Sequence, residues 1–287
     1  MNKKTITEDS DEITFDTISD YWNDKQPGRK IGGDTPVEDY SNFFKKIDDY
    51  KYHRNHYQYL KDGVAEFDQH DGEKLLEIGC GLGGDLGSFA EGGAIVHAID
   101  SASSSKETLD KRFELLNKDF KFDKADFKEI PYPDDYFDVV YSFGVLHHSQ
   151  WIKDGISEIN RVLKPGGKVI IMLYHKGFKY YVRKLFWSGI VKGQYFKHST
   201  QQIINKNTEE FGESPTTYVY NRNEATELFS PQFEEIEIDV YRFDDYLKLP
   251  FDIKWYVFRS ILPHSWYRYL EKKFGWNLIL KARKAQK

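Results

Sequence analysis

The sequence predicts an α/β protein built on a doubly wound, mostly parallel sheet, and three observations carry that expectation. Short apolar runs alternate with segments of helical spacing between Lys74 and Tyr174, as successive strands and crossover helices would. A glycine-rich stretch from Gly79 to Gly84 joins the first apolar run to the first helical segment. The chain has 287 residues, 39% of them hydrophobic and 16% aromatic, enough for a large core in which Phe and Tyr replace many aliphatics.

Taken in order, residues 1–20 hold six acids against Lys3 and Lys4 and read as a solvated, frayed arm. Phe43, Phe44, Ile47 and Tyr50 fall at helical spacing, so residues 1–70 are expected to be a helical cap over the ligand edge of the sheet. Strands are predicted at Lys74–Ile78, at Ala94–Ile99 just before Asp100, and at Phe137–Ser142. Leu109, Phe113 and Leu116 mark one helix, and Ile152, Ile156, Ile159 and Leu163 another. The second stops at Lys164-Pro165-Gly166-Gly167, a turn signal, ahead of a strand at Lys168–Tyr174. Such strand-helix-strand succession implies right-handed crossovers. Further on, Asn223–Ser230 reads as a helix, Phe233–Val240 as a strand with one polar face, and Trp276–Ala282 as the last strand. Residues 71–287 are expected to form one domain carrying insertions at 176–220 and 243–275. The second insertion is rich in aromatics and, with the cap, is expected to wall the pocket of the second substrate.

Composition narrows the classes of function. Cys80 is the only cysteine, so an internal disulfide and a thiol-based zinc cluster are excluded. No run approaches the roughly 18 apolar residues of a membrane helix, and the N-terminal stretch turns acidic where a signal peptide would turn apolar. The expectation is a cytoplasmic protein without a membrane span. From Phe251 onward nine basic residues face only Asp252 and Glu271, interleaved with Trp255, Tyr256, Phe258, Trp266, Tyr267, Tyr269 and Trp276. That region could bind RNA, an anionic lipid surface or an acidic substrate, or be a helical segment with a basic outer face. The net charge of -5 and a pI near 6.0 speak against nucleic acid as the main partner.

The chemistry concentrates at the ends of the predicted strands. Glu77 sits in the end of the first, followed by Gly79, Cys80, Gly81, Gly83 and Gly84. Glycines there allow a sharp turn and let a ligand approach the peptide groups. The spacing also satisfies the dinucleotide fingerprint, a weak signal by itself. Asp100 ends the next strand, where a carboxylate can accept ribose hydroxyls or cap the helix after Ser101. His147 and His148 lie in the loop after the third predicted strand and His175 ends the fourth; neutral imidazoles there are candidate general bases.

These residues together resemble the class I, Rossmann-like S-adenosylmethionine-dependent methyltransferases over about Lys74–Tyr174. Glu77-Ile78-Gly79-Cys80-Gly81-Leu82-Gly83 looks like the motif that holds the methionine moiety, and Asp100, with Ser101 beside it, matches the ribose-binding acid. Ala125-Asp126-Phe127 resembles the segment beside the adenine. Phe137 to His148, including Ser142, Phe143 and Gly144, is similar to the fourth strand and its loop, and Glu158 to Gly167 to the helix and turn before the fifth. The nearest-looking subgroup acts on small molecules such as quinones and sugars. The resemblance implies a seven-stranded sheet in the order 3-2-1-4-5-7-6 with the seventh strand antiparallel. It implies S-adenosylmethionine as cofactor, S-adenosylhomocysteine as product and a small-molecule acceptor, a hydroxyl before nitrogen or sulfur. Tyr21, Trp22, Arg54 and Tyr57 could close over the cofactor from the cap, with Arg54 on its carboxylate. An RNA methyltransferase and a cofactor-binding partner protein without turnover remain alternatives, and oligomeric state is left open.

Overall fold

The computed structural model describes residues 14–33, 37–54, 57–208, 214–243, 246–248, 254–256 and 262–286. Its strands are β1 (Lys74–Ile78), β2 (Ile95–Asp100), β3 (Lys121–Lys124), β4 (Phe137–Phe143), β5 (Leu163–Tyr174), β6 (Phe233–Tyr241), β7 (Tyr246–Lys248), β8 (Lys254–Tyr256) and β9 (Asn277–Lys284). The α-helices are α1 (Phe15–Asp24), α2 (Arg29–Gly32), α3 (Tyr40–Asp48), α4 (Gly84–Glu91), α5 (Ser104–Leu116), α6 (Ile152–Val162), α7 (Thr200–Thr208), α8 (Arg222–Phe229) and α9 (His264–Phe274). Seven strands form one sheet in the order β3-β2-β1-β4-β5-β9-β6, and β7 and β8 pair separately. In sheet numbering this is 3-2-1-4-5-7-6. The first five strands run parallel and β9 runs antiparallel to both neighbours, with Ile171 opposite Leu280 and Leu280 opposite Ile238.

Parallel strands covered on both faces must be apolar at every position, and β5 shows why the run reads as continuous. Val169, Ile171 and Leu173 enter one core with Ile156, Ile159 and Phe229, whereas Ile170 and Met172 enter the other with Phe89, Leu109 and Phe113. A third, small cluster of Phe43, Phe44, Ile47 and Leu82 lays α3 against the glycine-rich turn. Strand β3, by contrast, is Lys-Phe-Asp-Lys with three exposed positions. It borders only β2, so an edge strand without an apolar run carried no periodic signal.

The cap departs from the expected frayed arm. From Thr14, which accepts from the Thr17 backbone N–H, the chain forms α1, and Phe15, Ile18 and Trp22 on its helical repeat turn toward the sheet's ligand edge. Ser19 is buried and its hydroxyl donates to the Ser101 carbonyl at 2.7 Å. Seven acids between residues 8 and 24 masked this apolar stripe in a composition reading. Residues 1–13 lie outside the described residues. The first insertion contains a π-type helix, Lys179–Val191, and α7; the second contains β7, β8 and α9.

Candidate active site

Where the parallel strands end, the loops enclose a cavity of about 340 Å³, in the size range of small-molecule sites. It lies at the carboxyl edge on both sides of β1 and β4, the place where strand order reverses in doubly wound sheets. The glycine-rich turn forms one wall. Gly81 has φ +52°, and a Cβ there would meet no heavy atom within 4 Å, because it would point into open space at the cavity wall. Gly79 also lines the cavity, yet a Cβ on it would collide with Val145 at 2.2 Å. Gly83 precedes α4 and backs onto Leu109, away from the cavity.

Two buried carboxylates at this wall differ in their support. Asp85 binds Lys51 Nζ at 2.7 Å and accepts from the hydroxyls of Tyr52 at 2.5 Å and Tyr141 at 2.9 Å. Burial pushes its carboxyl up, but the Lys51 charge and these bonds outweigh that and hold it below the usual range. Glu77 is 3% exposed and its Oε2 has no hydrogen-bond partner among the described residues. Burial, and then the neighbouring Asp85 charge, push the Glu77 carboxyl well up. The wall therefore holds one braced anion and one carboxyl with an oxygen left for a ligand to complete.

Asp100 lines the cavity and is already engaged. Its Oδ2 accepts from Gly81 N at 2.9 Å and Ser105 Oγ at 3.1 Å, and its Oδ1 from Ala102 N at 2.9 Å. Burial pushes its carboxyl up, opposed by these donors. Asp100 thus braces both the glycine turn and the start of α5, and Oδ1 keeps lone-pair capacity for one more donor. Cys80 is buried beside it, with its thiol pushed well up by burial. Ser101, Asp126 and Phe127 line the cavity next to Asp100. Asp126 accepts from Lys128 N at 3.0 Å and pairs with Lys128 Nζ at 3.2 Å. Phe127 packs tightly on Gly155, whose Cβ would meet the ring at 2.2 Å. Phe143 and Gly144 form the floor. Ser142, fully buried, donates to Ile78 O at 3.2 Å and ties β4 to β1 without reaching the cavity.

The three histidines separate clearly. His148 lines the cavity, and its Nδ1 lies 2.9 Å from the Thr216 carbonyl, which assigns the proton to Nδ1 and leaves Nε2 as the basic nitrogen. Trp22 stands edge-on to its ring at 5.1 Å. His147 is fully buried against Tyr174, with ring centroids 3.9 Å apart, and does not line the cavity. Burial, then the adjacent His148, hold its pKa well below the ordinary value, opposed by the Met172 carbonyl, and neither ring nitrogen makes a hydrogen bond of good geometry among the described residues. His175 donates from Nδ1 to the Gly275 carbonyl at 2.9 Å, is likewise lowered by burial, and joins β5 to the far end of the second insertion. It too is absent from the cavity wall.

From the cap, Phe15, Ile18, Trp22, Gln26, Lys51 and Tyr57 line the cavity. The side chain of Arg54 lies outside the described residues. Among the described residues the second insertion supplies none of the lining itself; Arg242 and Trp276 flank it there, and Lys179 and Thr208 come from the first insertion. Sequence reasoning missed Lys51 and Asp85. Asp85 follows the glycine motif directly, but nothing local marks a lysine 34 residues earlier as its partner.

Residues 76–171, about a third of the chain, match the family model described as "Methyltransferase domain". Phosphoethanolamine N-methyltransferase 2 of Caenorhabditis elegans is 31% identical over 170 residues, 58% of this chain and 37% of that protein. Sterol 24-C-methyltransferase ERG6A of Gibberella zeae is 37% identical over 100 residues, 34% of this chain and 26% of its own length. Demethylmenaquinone methyltransferase of Clavibacter sepedonicus is 30% identical over 155 residues, 50% of this chain and 62% of that protein. The chain spans well under half the length of the first two. Among solved structures, magnesium protoporphyrin IX methyltransferase of Synechocystis PCC 6803, with bound SAH, superposes with a TM-score of 0.59 at 18% identity, over 95% of this chain and all of that one. The [4+2]-cyclase SpnF superposes with a TM-score of 0.57 at 17% identity, over 96% of this chain and 97% of that one, so at this level the likeness concerns the fold. Residues 76–171 are thus similar to a methyltransferase domain, and they sit in a sheet that shares its fold with those solved neighbours.

Proposed function

We propose that the protein is an S-adenosylmethionine-dependent methyltransferase that methylates a hydroxyl of a small-molecule acceptor. The observation that carries the reading is Glu77, a buried carboxyl with an unpartnered oxygen at a cavity wall formed by the glycine turn. The residues present fit the cofactor. Glu77 would take its ammonium group, the remaining lone pair of Asp100 Oδ1 a ribose hydroxyl, and Asp126 with Phe127 its adenine. When bound, S-adenosylmethionine supplies an electrophilic methyl on a sulfonium centre.

The chain's own residues then have three tasks. Trp22, Phe143, Tyr174 and Trp276 wall the cavity with aromatic surface and exclude water from it. The glycine turn, held by Asp100, fixes the position of the donor, so orientation supplies much of the acceleration. His148 removes the hydroxyl proton at Nε2, while its Nδ1–H remains on the Thr216 carbonyl and keeps the ring oriented.

Calorimetry with S-adenosylmethionine, S-adenosylhomocysteine and NAD tests the first half of this reading: the two sulfur nucleosides should bind and NAD should not. Binding of NAD alone would move the protein to dinucleotide chemistry. Mass spectrometry of hydroxylated metabolite pools incubated with enzyme and cofactor tests the second half, the expected product being one methyl heavier at oxygen.

A further inference from the structure

The first insertion carries a charge pattern of which only Lys179 reaches the cavity. Between Lys176 and Thr208 there are Lys176, Lys179, Arg183, Lys184, Lys192, Lys197 and Lys206, and no Asp or Glu. The same segment collects the exposed apolar side chains. Of the ten large hydrophobic residues exposed among the described residues, six lie here: Tyr181, Phe186, Ile190, Val191, Tyr195 and Phe196. Phe196 is 92% exposed and Ile190 62%. Lys184 is buried and Lys176 pairs with Glu224, so the exposed cations beside these side chains are Lys192 and Lys197. Scattered apolar side chains on a surface are ordinary, but a cluster beside exposed lysines with no acid in the segment is the composition of an interfacial surface.

We propose that this face, from Tyr181 to Lys197, docks on an anionic lipid bilayer. Ile190, Val191 and Phe196 enter the boundary between headgroups and acyl chains, the tyrosines sit at headgroup level, and Lys192 and Lys197 meet lipid phosphates. The aliphatic members decide between a bilayer and a nucleic acid. Bases stack on aromatic faces and gain little from Ile190 or Val191, whereas a hydrocarbon boundary accepts all six side chains. Position gives the docking a use. Lys179 at the start of the π-type helix and Thr208 at the end of α7 both line the cavity, so the docked surface borders its wall and favours amphiphilic acceptors. That last step rests on the methyltransferase reading; the docking itself does not.

The test is flotation of the full chain, without cofactor, on phosphatidylcholine vesicles and on vesicles containing about one third phosphatidylglycerol. The protein should float with the anionic vesicles, and much less so with neutral vesicles or at high salt. I190S/F196S and K192E/K197E should each reduce the bound fraction at least about tenfold, with thermal transitions within a degree or two of wild type, as all four positions are exposed. Absence of flotation on anionic vesicles overturns the proposal. So does retention of a single-stranded RNA that K192E/K197E abolishes and I190S/F196S preserves without flotation, or a self-associated wild type that I190S/F196S makes monomeric without vesicle binding. Cofactor binding and methyl transfer are read separately, so loss of either leaves the flotation result standing.

Discussion

At the scale of single residues, the site turns on which polar groups are already satisfied. Glu77 is not, so Glu77→Gln should weaken S-adenosylmethionine binding by about tenfold to a hundredfold, the usual effect of losing a charged partner. The apo variant should be no less stable, since Gln removes the repulsion between Glu77 and Asp85. Because the Glu77 carboxyl is raised, wild-type affinity should fall on acidification as it gains a proton, whereas the Gln variant's should be flatter; calorimetry at several pH values reads both. Asp100 behaves differently. It holds Gly81 and Ala102, so Asp100→Ala should lower thermal stability along with affinity. The histidines also separate: His148→Gln should slow single-turnover methyl transfer by about a hundredfold or more with little change in cofactor affinity, while His147→Gln should mainly alter stability. Equal rates for wild type and His148→Gln would leave orientation as the main source of acceleration. The sequence placed two imidazoles in this loop but could not orient them, because consecutive side chains of a short helical turn leave it in different directions.

At the scale of elements, polar long-range contacts add to the apolar cluster that seats the cap on the sheet. Arg112 on α5 is 5% exposed, donates to the Leu82 carbonyl at 3.0 Å, and grips Asp48 at the end of α3 through two bonds of 2.8 and 3.1 Å. Asp48→Ala would leave that guanidinium buried without its anion. Urea unfolding should show a loss of about 1–3 kcal/mol, kept below the fully buried range because Asp48 is itself partly exposed, at an unchanged slope. Cofactor affinity should fall too, as Leu82 belongs to the glycine turn. The same elements show where sequence reading works. Strands β1, β4 and β5 were legible because burial on both faces demands unbroken apolar runs. Helix α1 was obscured by its acids, although Phe15, Ile18 and Trp22 were present at helical spacing, and β3 was invisible because an edge strand needs little apolar surface.

At the scale of the whole molecule, one ion cluster joins the end of the cap to β5 and to the last strand. Glu66 binds Lys168 of β5 at 2.5 Å and Lys281 of β9 at 2.6 Å, and His70 lies 3.5 Å away. Burial works against the Glu66 carboxylate, but His70 and the two lysines outweigh it and hold its pKa far below the usual 4.5. A depressed carboxylate contributes its stability above the unfolded pKa and loses it as pH falls. Glu66→Gln should therefore be least stable relative to wild type near neutrality, with the gap closing below about pH 4.5. His70 is shifted the other way, raised by Glu66 and Glu73 against the effect of burial. Its contribution is complete below the unfolded value of about 6.5 and fades as pH rises through the higher folded value, so the melting-temperature deficit of His70→Gln should shrink as pH rises above about 6.5. By itself the sequence determined the central strands of the sheet, the glycine turn and the edge at which a ligand meets them, since each is encoded in a local run: burial on two faces, helical period, or glycines in succession. Only the tertiary structure decided that Asp100 braces the turn, that Lys51 rather than a residue of the motif neutralises Asp85, and that His148 alone of the three histidines faces the cavity. Those outcomes depend on which side chains meet across 19 to 34 residues or more of chain and on the direction each leaves its backbone, and neither is written in local periodicity.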